Sequence, residues 1–378
     1  MTYRRLTLTG LYLAICAVLI GACGRASAPN DSGTAEPSAV RHENASDDPK
    51  RLDLERFVTT VLSGKEGVYT NLIETDQNGE AASGHEVLSE SAGLLMRYEA
   101  LSGERGAFDD AWRLARSVFD MKTAFSYRFS PATGKLYPLN AAVDDLRIIR
   151  ALYEAGQAFG WDEYTQEADR YAARFLSHNV RDGRMYDIYD EKYGTNNSFV
   201  TLCYIDLPTL GLIADRVPGG QDLLASMRSV ATGGYLGDRF PFYAGRYDYE
   251  KGTYSSEGGI QTVESLLTIL SLSEAGLEHP ASISFLKEKV LADKLYGRYN
   301  AAGEAQNDIR STALYAIAAM IGSVVQDPEL RDAALQRMES FRVTDTGSPL
   351  YGGFGDPVAG QAYSFDNLTA LLAYHYSQ

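Results

Sequence analysis

The apolar positions of this chain are concentrated in about six segments of one design: a turn, a carboxylate or Asn near the start, and then a largely apolar helix. These segments span residues 89–101, 140–156, 196–213, 254–270, 306–321 and 363–376. They follow one another at intervals of roughly 50 to 60 residues, which is the length of one helical hairpin. The pattern therefore predicts six inner helices.

A second set of helices is predicted between the first. Each has apolar residues at helical spacing on one face and charged residues on the other, which is typical of a helix on the outside of a fold. These segments span residues 55–64, 107–122, 162–180, 222–231, 280–297 and 329–343. The alternation predicts an all-α (α/α)6 barrel, in which the N-terminal ends of the inner helices and their dipoles meet at one mouth.

The N-terminal residues resemble the signal of a bacterial lipoprotein. MTYRR is positively charged, LTLTGLYLAICAVLI is apolar but short for a membrane span, and Ile20 to Cys23 resembles a lipobox. We therefore expect residues 1–22 to be a signal peptide and Cys23 to carry the lipid. The protein is then expected at the extracytoplasmic face of the cell membrane, held through the lipid anchor only.

The predicted tether runs from Cys23 to residue 50. It is rich in Ser, Ala, Pro and Asp and lacks apolar periodicity, which is typical of a disordered linker. Residues 51–378 remain for the barrel, a length that suits six hairpins.

Composition limits the classes of ligand. The net charge of −15 disfavours nucleic acid as a partner. The five His residues are scattered without the spacing of a metal motif, and no glycine-rich phosphate loop follows a predicted strand. The sequence therefore predicts neither a metal nor a cofactor.

The first motif with chemical meaning is Ser89-Glu90-Ser91-Ala92-Gly93-Leu94-Leu95-Met96. It resembles S-E-G-Q-G-Y-G-M of glycoside hydrolase family 8, in which the Glu is the general acid. The downstream segment 101–112 is similar to that family's turn and F-D-x-x-W helix. The resemblance implies an (α/α)6 glycosidase with Glu90 as the catalytic acid.

A second motif, Ala141-Ala142-Val143-Asp144-Asp145-Leu146-Arg147-Ile148, resembles A-S/T-D-A/G-D-x-x-I/M of the same family. Asp145 matches the second Asp and is expected in the active site, whereas Val143 replaces the first. Two expectations stay open: Asp144, one position later, binds substrate in place of the missing carboxylate, or Asp145 carries the role alone.

An inverting glycosidase also needs a general base that activates water. In much of the family an Asp begins the fourth inner helix and an Arg follows three residues later. Glu257 occupies a comparable position here, but Ile260 stands where the Arg would be. Asp248, in the preceding loop, is the second candidate, and Glu264 is expected to be buried two turns into the helix.

Tyrosines are concentrated in the loops before the inner helices, where aromatic rings beside polar groups suit sugars. Tyr137 and Tyr254 are expected to bind substrate. Tyr204 is expected to do so on the third inner helix, because residues 204–208 resemble the family's S-Y-x-x-P segment.

Together these features predict an extracytoplasmic glycoside hydrolase that cleaves a β-linked exopolysaccharide by inversion, beside exopolysaccharide synthesis machinery. Two alternatives stay open. One is a catalytically degenerate lipoprotein that only binds polysaccharide, which Val143 and Ile260 would favour. The other is a different (α/α)6 activity, such as a polysaccharide lyase or an unsaturated-uronide hydrolase.

The lipid anchor gives a first testable prediction. Cys23→Ala should abolish lipidation without unfolding the domain, because the Cys23 sulfur is the atom that would carry the diacylglyceryl group and it lies outside the predicted barrel. Mass spectrometry of the purified protein measures the diacylglyceryl group. A variant that still carries this group would contradict the anchor assignment.

Overall fold

The computed structural model describes residues 48–378, so the predicted signal peptide, the Cys23 lipidation site and most of the predicted tether lie outside the described residues. The described chain forms twelve α-helices that alternate between an outer and an inner layer. They are α1 (Pro49–Arg56), α2 (Ser89–Leu101), α3 (Arg105–Phe119), α4 (Ala142–Phe159), α5 (Asp162–Asn179), α6 (Leu207–Ala214), α7 (Gly220–Gly233), α8 (Thr262–Glu274), α9 (Pro280–Leu291), α10 (Thr312–Val324), α11 (Pro328–Glu339) and α12 (Ser364–Tyr376). A π-helical stretch, Phe57–Val61, extends α1.

The even-numbered helices close into a ring. Each packs against the next, from α2 through α4, α6, α8 and α10 to α12, and α12 packs back against α2. The odd-numbered helices lie outside them as the other arms of the hairpins. The predicted (α/α)6 barrel is confirmed.

The burial pattern explains which helix faces the axis. In α10 every residue from Thr312 to Gly322 is buried, as expected for an inner helix that is packed on all sides. Outer helix α3 buries only Phe108, Trp112, Ala115 and Phe119, which form one stripe at helical spacing. Apolar residues all around a helix therefore mark the inner layer, and a single apolar stripe marks the outer layer.

Short antiparallel strands form the loops that lead into the inner helices. The described residues contain β1 (Ser63–Gly64), β2 (Gly67–Val68), β3 (Val87–Leu88), β4 (Arg128–Ser130), β5 (Lys135–Leu136), β6 (Val180–Arg181), β7 (Arg184–Met185), β8 (Tyr189–Asp190), β9 (Thr195–Asn196), β10 (Phe199–Thr201), β11 (Arg246–Asp248), β12 (Thr253–Ser255), β13 (Ile260–Gln261) and β14 (Arg298–Tyr299). Two sheets have three strands, β3-β4-β5 and β10-β11-β12, and the others pair as β1-β2, β6-β7, β8-β9 and β13-β14.

The register of these sheets sets where the inner helices start. In one three-stranded sheet Val87 lies opposite Phe129, and in the other Val200 lies opposite Tyr247. Strands β3 and β13 run directly into α2 and α8. The sheets therefore hold the first turns of these two helices at the mouth of the barrel.

The third inner helix begins later than predicted. Asp206 caps α6 by accepting a hydrogen bond from the Thr209 amide at 3.2 Å, and Pro208 occupies its first turn. Tyr204 consequently lies in a 3₁₀ turn, Leu202–Tyr204, and the prediction that placed it on the helix was wrong.

The fourth inner helix also begins later than predicted. Gly258 and Gly259 both have positive φ angles, 74° and 105°, which interrupt a helix, and α8 starts at Thr262. Glu257 therefore lies in a turn. Glu264 lies in the first turn of α8, whereas the sequence pattern placed it two turns inside the helix.

A buried ionic network ties the inner helices together around the axis. Arg97 of α2 binds Glu154 of α4 through two hydrogen bonds, at 2.9 and 2.8 Å. Arg150 of α4 binds Glu274 of α8 through two more, at 2.9 and 2.7 Å. Tyr376 of α12 contacts Arg97, Arg150 and Glu274.

Arg150 also joins the two ion pairs to each other and connects the network to α6. Arg150 contacts Glu154 at 2.9 Å and the cap of α6, Asp206, at 3.4 Å. The neighbouring Arg150 guanidinium holds the pKa of the Glu274 carboxyl at about 2.

No helix within residues 48–378 combines the length and apolar character that a membrane span requires.

The network predicts that Arg150→Met destabilises the barrel by about 3–5 kcal/mol, because it leaves buried carboxylates without their cation. Urea unfolding measures the loss. Arg113→Met is the matched control, since Arg113 pairs with Asp110 through side chains that are 69% and 78% exposed. Equal losses in the two variants would contradict the stabilising role of the network.

Candidate active site

Glu90 lies in the first turn of α2, at the mouth of the barrel. Strand β3 leads into the helix, and the Ser89 amide donates to the Tyr127 carbonyl at 3.2 Å, which anchors the helix start. The Glu90 side chain is 22% exposed, so it is accessible but largely removed from water. This placement agrees with that expected from the sequence.

Arg147 of α4 connects Glu90 with Asp144. Its Nη1 lies 2.6 Å from Asp144 Oδ1 and 3.4 Å from Glu90 Oε2. Ser89 donates to Asp144 Oδ2 at 3.0 Å. Two carboxylates from adjacent inner helices thus share one guanidinium, and we call Glu90, Asp144 and Arg147 the mouth triad. No role was predicted for Arg147, although its position three residues after Asp144 is the spacing of a helical ion pair.

Burial raises the pKa of the Glu90 carboxyl to about 7; Arg147 opposes this rise and the neighbouring Asp144 charge adds to it. Burial also raises the pKa of Asp144, against the Arg147 charge and the Ser89 hydrogen bond. A carboxyl with a pKa near 7 carries its proton in a large fraction of molecules at neutral pH. Glu90 is therefore suited to donate a proton.

Asp145 faces away from the mouth triad. It accepts hydrogen bonds from the Phe125 amide at 3.1 Å and from Asn140 Nδ2 at 2.7 Å. Its side chain is buried, and burial raises its pKa to about 7. The structure thus brings Asp144 to Glu90 and uses Asp145 to hold the segment between α3 and α4.

The two predicted base candidates lie in the loop before α8. Glu257 is 64% exposed and pairs with Arg246 at 2.5 Å. Asp248 accepts hydrogen bonds from the Glu250 and Lys251 amides, both at 3.0 Å, and these backbone contacts help to hold its pKa below the ordinary value. Asp248 therefore caps the turn between β11 and β12.

Glu264 is a further carboxylate at the mouth. It belongs to the first turn of α8, which stands three helices from α2 in either direction around the ring of six. It lies close enough to Asp187 to raise the pKa of that carboxyl. Glu264 therefore belongs to the helix opposite Glu90. The Gly258-Gly259 pair is the signal in the sequence that would have placed the helix start, and hence Glu264, correctly.

Asp187 is a buried carboxylate for which the sequence motifs predicted no role. Thr201 donates to it from both its amide and its hydroxyl at 2.6 Å, while burial raises its pKa to about 7. Its carbonyl accepts from the Ala142 amide at the start of α4. Asp187 thus connects the loop before α6 to the α4 end of the mouth.

The predicted substrate-binding tyrosines differ in position. Tyr204 interacts electrostatically with Arg147, so it is close to the mouth triad. Tyr137 packs edge-on against Tyr127 and under Lys135. Tyr254 donates to the Val230 carbonyl of outer helix α7 at 2.9 Å, which commits its hydroxyl to the fold.

A closed ring of six helical hairpins with carboxylates at the N-terminal ends of its inner helices is the architecture of the (α/α)6 glycosidases. Within residues 48–378 no group of three or more His, Cys, Asp or Glu side chains is arranged to hold a metal ion.

Comparisons with known proteins agree with this class. The solved structure of a novel α-amylase from Clostridium perfringens has a TM-score of 0.82 and 30% identity, with 90% of this chain and 100% of that chain covered. Endoglucanase Cel10 of Klebsiella pneumoniae, a family 8 glycosyl hydrolase, has a TM-score of 0.61 and 16% identity. The match covers 86% of this chain and 100% of that chain.

A sequence relative extends the comparison. The Bacillus subtilis (strain 168) protein named "Putative lipoprotein YdaJ" is 26% identical over 305 residues, which are 80% of this chain and 81% of that protein. No protein-family profile matches the chain. The chain belongs to the same family as the Clostridium perfringens protein, and it shares the (α/α)6 fold of the family 8 glycosidases.

The raised pKa of Glu90 predicts a pH-dependent stability effect. Above pH 4.5 the unfolded Glu ionises while the folded one keeps its proton until about pH 7, so folding stability falls through this window. Glu90→Gln removes that loss and should be more stable than the wild type by up to about 3 kcal/mol at pH 8, with little difference at pH 4.

Urea unfolding at the two pH values measures this difference. Glu288→Gln, at a side chain that is 69% exposed, is the control and should show no such pH dependence. A Glu90→Gln gain that is the same at pH 4 and pH 8 would contradict the assigned pKa.

Proposed function

We propose that this protein is a glycoside hydrolase that cleaves a β-linked polysaccharide by inversion, with Glu90 as the general acid. The mouth triad is the observation that carries the proposal, because it places a largely buried carboxyl with a raised pKa at the open end of the barrel. The similarity to family 8 glycosidases supports the same reaction type.

In the proposed reaction the Glu90 carboxyl gives its proton to the glycosidic oxygen as the bond from that oxygen to the anomeric carbon breaks. A water molecule attacks the opposite face of the anomeric carbon and loses a proton to a carboxylate base. Glu90 is left as a carboxylate, which the nearby Arg147 guanidinium stabilises. Exchange of protons with solvent then restores both groups. We assign Asp144 and Tyr204, which lie near Arg147, to hydroxyl groups of the sugar.

We assign the base to Glu264 of α8, the helix opposite α2, ahead of Glu257 and Asp248 in the loop before that helix. Glu264 belongs to the first turn of that helix. Glu257 is mostly exposed, and Asp248 is engaged by the amides of its own turn. A base needs access to water and a defined position, and Glu264 is a partly exposed side chain on the first turn of a helix.

The proposed location is the extracytoplasmic face of the cell membrane, with Cys23 as the lipid anchor. The lipobox and the lipoprotein name of the Bacillus subtilis relative support it. We propose an exopolysaccharide as the natural substrate, and its synthesis machinery as the neighbouring system.

An α-linked glucan is a second candidate substrate. The specific observation in its favour is the 30% identity to a protein described as an α-amylase, over the whole of that chain. Both substrates require the same acid, so they differ in linkage and not in the role of Glu90.

The deciding experiment compares the wild type and Glu90→Gln on soluble β-glucan, xylan, bacterial exopolysaccharide and starch, with new reducing ends as the readout. We expect hydrolysis of at least one β-linked polymer, reduced about 100-fold or more in Glu90→Gln, because the amide keeps the shape but has no proton to donate. Cleavage of starch alone would transfer the substrate to the α-linked class.

The matched variants Glu264→Gln and Glu257→Gln separate the base candidates. Loss of turnover in the first and near-normal turnover in the second are expected. Full turnover in Glu90→Gln would show that Glu90 is not the general acid. Polysaccharide binding without hydrolysis in the wild type would favour the catalytically degenerate binding protein. New absorbance from an unsaturated product would identify a lyase.

A further inference from the structure

A cavity of about 70 Å³ lies on the axis of the barrel, below the mouth triad. Each of the six inner helices, or the segment that leads into it, contributes an apolar residue to its wall: Leu94, Val143, Ile205, Leu267, Met320 and Phe365. Leu94 is one turn below Glu90, and Val143 immediately precedes Asp144. A sugar that spans the mouth between α2 and α8 therefore lies over this cavity.

The wall is largely apolar but carries hydrogen-bond donors. Thr369 of α12 lines the cavity, is 2% exposed, and has a hydroxyl without a hydrogen-bond partner in the described structure. Arg147 also lines the cavity and makes its bonds to Asp144 and Glu90 through Nη1. A buried hydroxyl without a partner costs free energy, which a bound group that accepts a hydrogen bond would recover.

Val143 makes the part of the cavity wall next to Asp144 apolar. It stands where the resemblance to family 8 places an active-site Asp, and it replaces a charged, hydrated group with two methyl groups. An unsubstituted hydroxyl of a sugar would leave most of the cavity unfilled, because a space of this size holds several water molecules.

From this geometry we infer that the axial cavity binds an acetyl substituent of the sugar at the cleavage site, so that the substrate is an N-acetylated or O-acetylated polysaccharide. The methyl group contacts the apolar wall, and the carbonyl oxygen accepts a hydrogen bond from the Thr369 hydroxyl. This inference rests on the proposed glycosidase function, since it assigns the substrate class of that same site.

A carboxylate substituent, as in a uronic acid, fits less well. The three arginines that line the cavity already have carboxylate partners: Arg97 binds Glu154, Arg147 binds Asp144 and Glu90, and Arg150 binds Glu274. A further negative charge would be buried beside these acids without a cation of its own. A neutral acetyl group avoids this cost.

The test measures binding by calorimetry in Glu90→Gln, so that it does not depend on turnover. The probes are pairs that differ in acetylation: chitohexaose against cellohexaose for the N-acetyl group, and acetylated against alkali-deacetylated xylo-oligosaccharides for the O-acetyl group. We expect the acetylated member of at least one pair to bind at least about tenfold more tightly, and the pair that responds identifies the linkage of the acetyl group.

Two second-site variants in the Glu90→Gln background connect the preference to the cavity. Thr369→Val keeps the shape and should reduce the preference about tenfold without lowering the melting temperature, because the hydroxyl it removes has no partner. Leu267→Phe should fill the cavity and abolish the preference, while the unacetylated probe still binds.

Equal binding within both pairs, or a preference that survives both cavity variants, would overturn the inference. Hydrolysis of unacetylated polymer by the wild type, without any acetyl preference, would uphold the proposed function and overturn this assignment alone. An acetyl preference that depends on Thr369, in a protein that hydrolyses nothing, would uphold the cavity site and remove the hydrolase proposal.

Discussion

The structure depends on buried ion pairs that join the inner helices across the barrel axis. Arg97, Arg150, Glu154 and Glu274 come from three helices, and each charge has an opposite charge within hydrogen-bonding distance. The low dielectric of the interior makes such groups costly unless every one is paired, so the network tolerates little rotation of a helix. It therefore specifies the orientation of α2, α4 and α8 about their own axes.

The orientation of α4 matters most for the site. Arg150 and Arg147 are three residues apart and lie on the same face of the helix, one above the other. When Arg150 is locked to Glu274, Arg147 is directed to the mouth, where it holds Asp144 and contacts Glu90. The ion pairs below thus position the acid above, although they do not touch it.

Burial also raises the pKa values of the carboxyls at the mouth, which suits them to proton transfer. Glu90, Asp144 and Asp187 all have raised pKa values, with burial as the largest cause. Helix N-terminal dipoles favour carboxylates at this end of the barrel, and the single Arg147 moderates the rise at Glu90 and Asp144. As a result the pKa values of Glu90 and Asp187 rise to about 7, and that of Asp144 is raised as well.

The sequence was sufficient for the ring and for Glu90, but not for the rest of the site. Helical spacing and burial on all sides separate inner from outer helices, and the motif around Ser89 places Glu90 in a first turn. The same periodicity does not say which of Asp144 and Asp145 faces the axis, because that depends on ion pairs between distant segments such as Arg147 with Glu90. Glu264 was predicted two turns inside the helix because the helix start was placed at Glu257, before the two glycines that interrupt the backbone.

A crystal structure of Glu90→Gln with a bound acetylated oligosaccharide tests the central claim most directly. The account predicts the glycosidic oxygen within hydrogen-bonding distance of the introduced amide, a water molecule between the anomeric carbon and a carboxylate of α8 on the opposite face, and the acetyl group in the axial cavity. An oligosaccharide bound away from the mouth triad, or with its glycosidic oxygen turned toward α8, would contradict it.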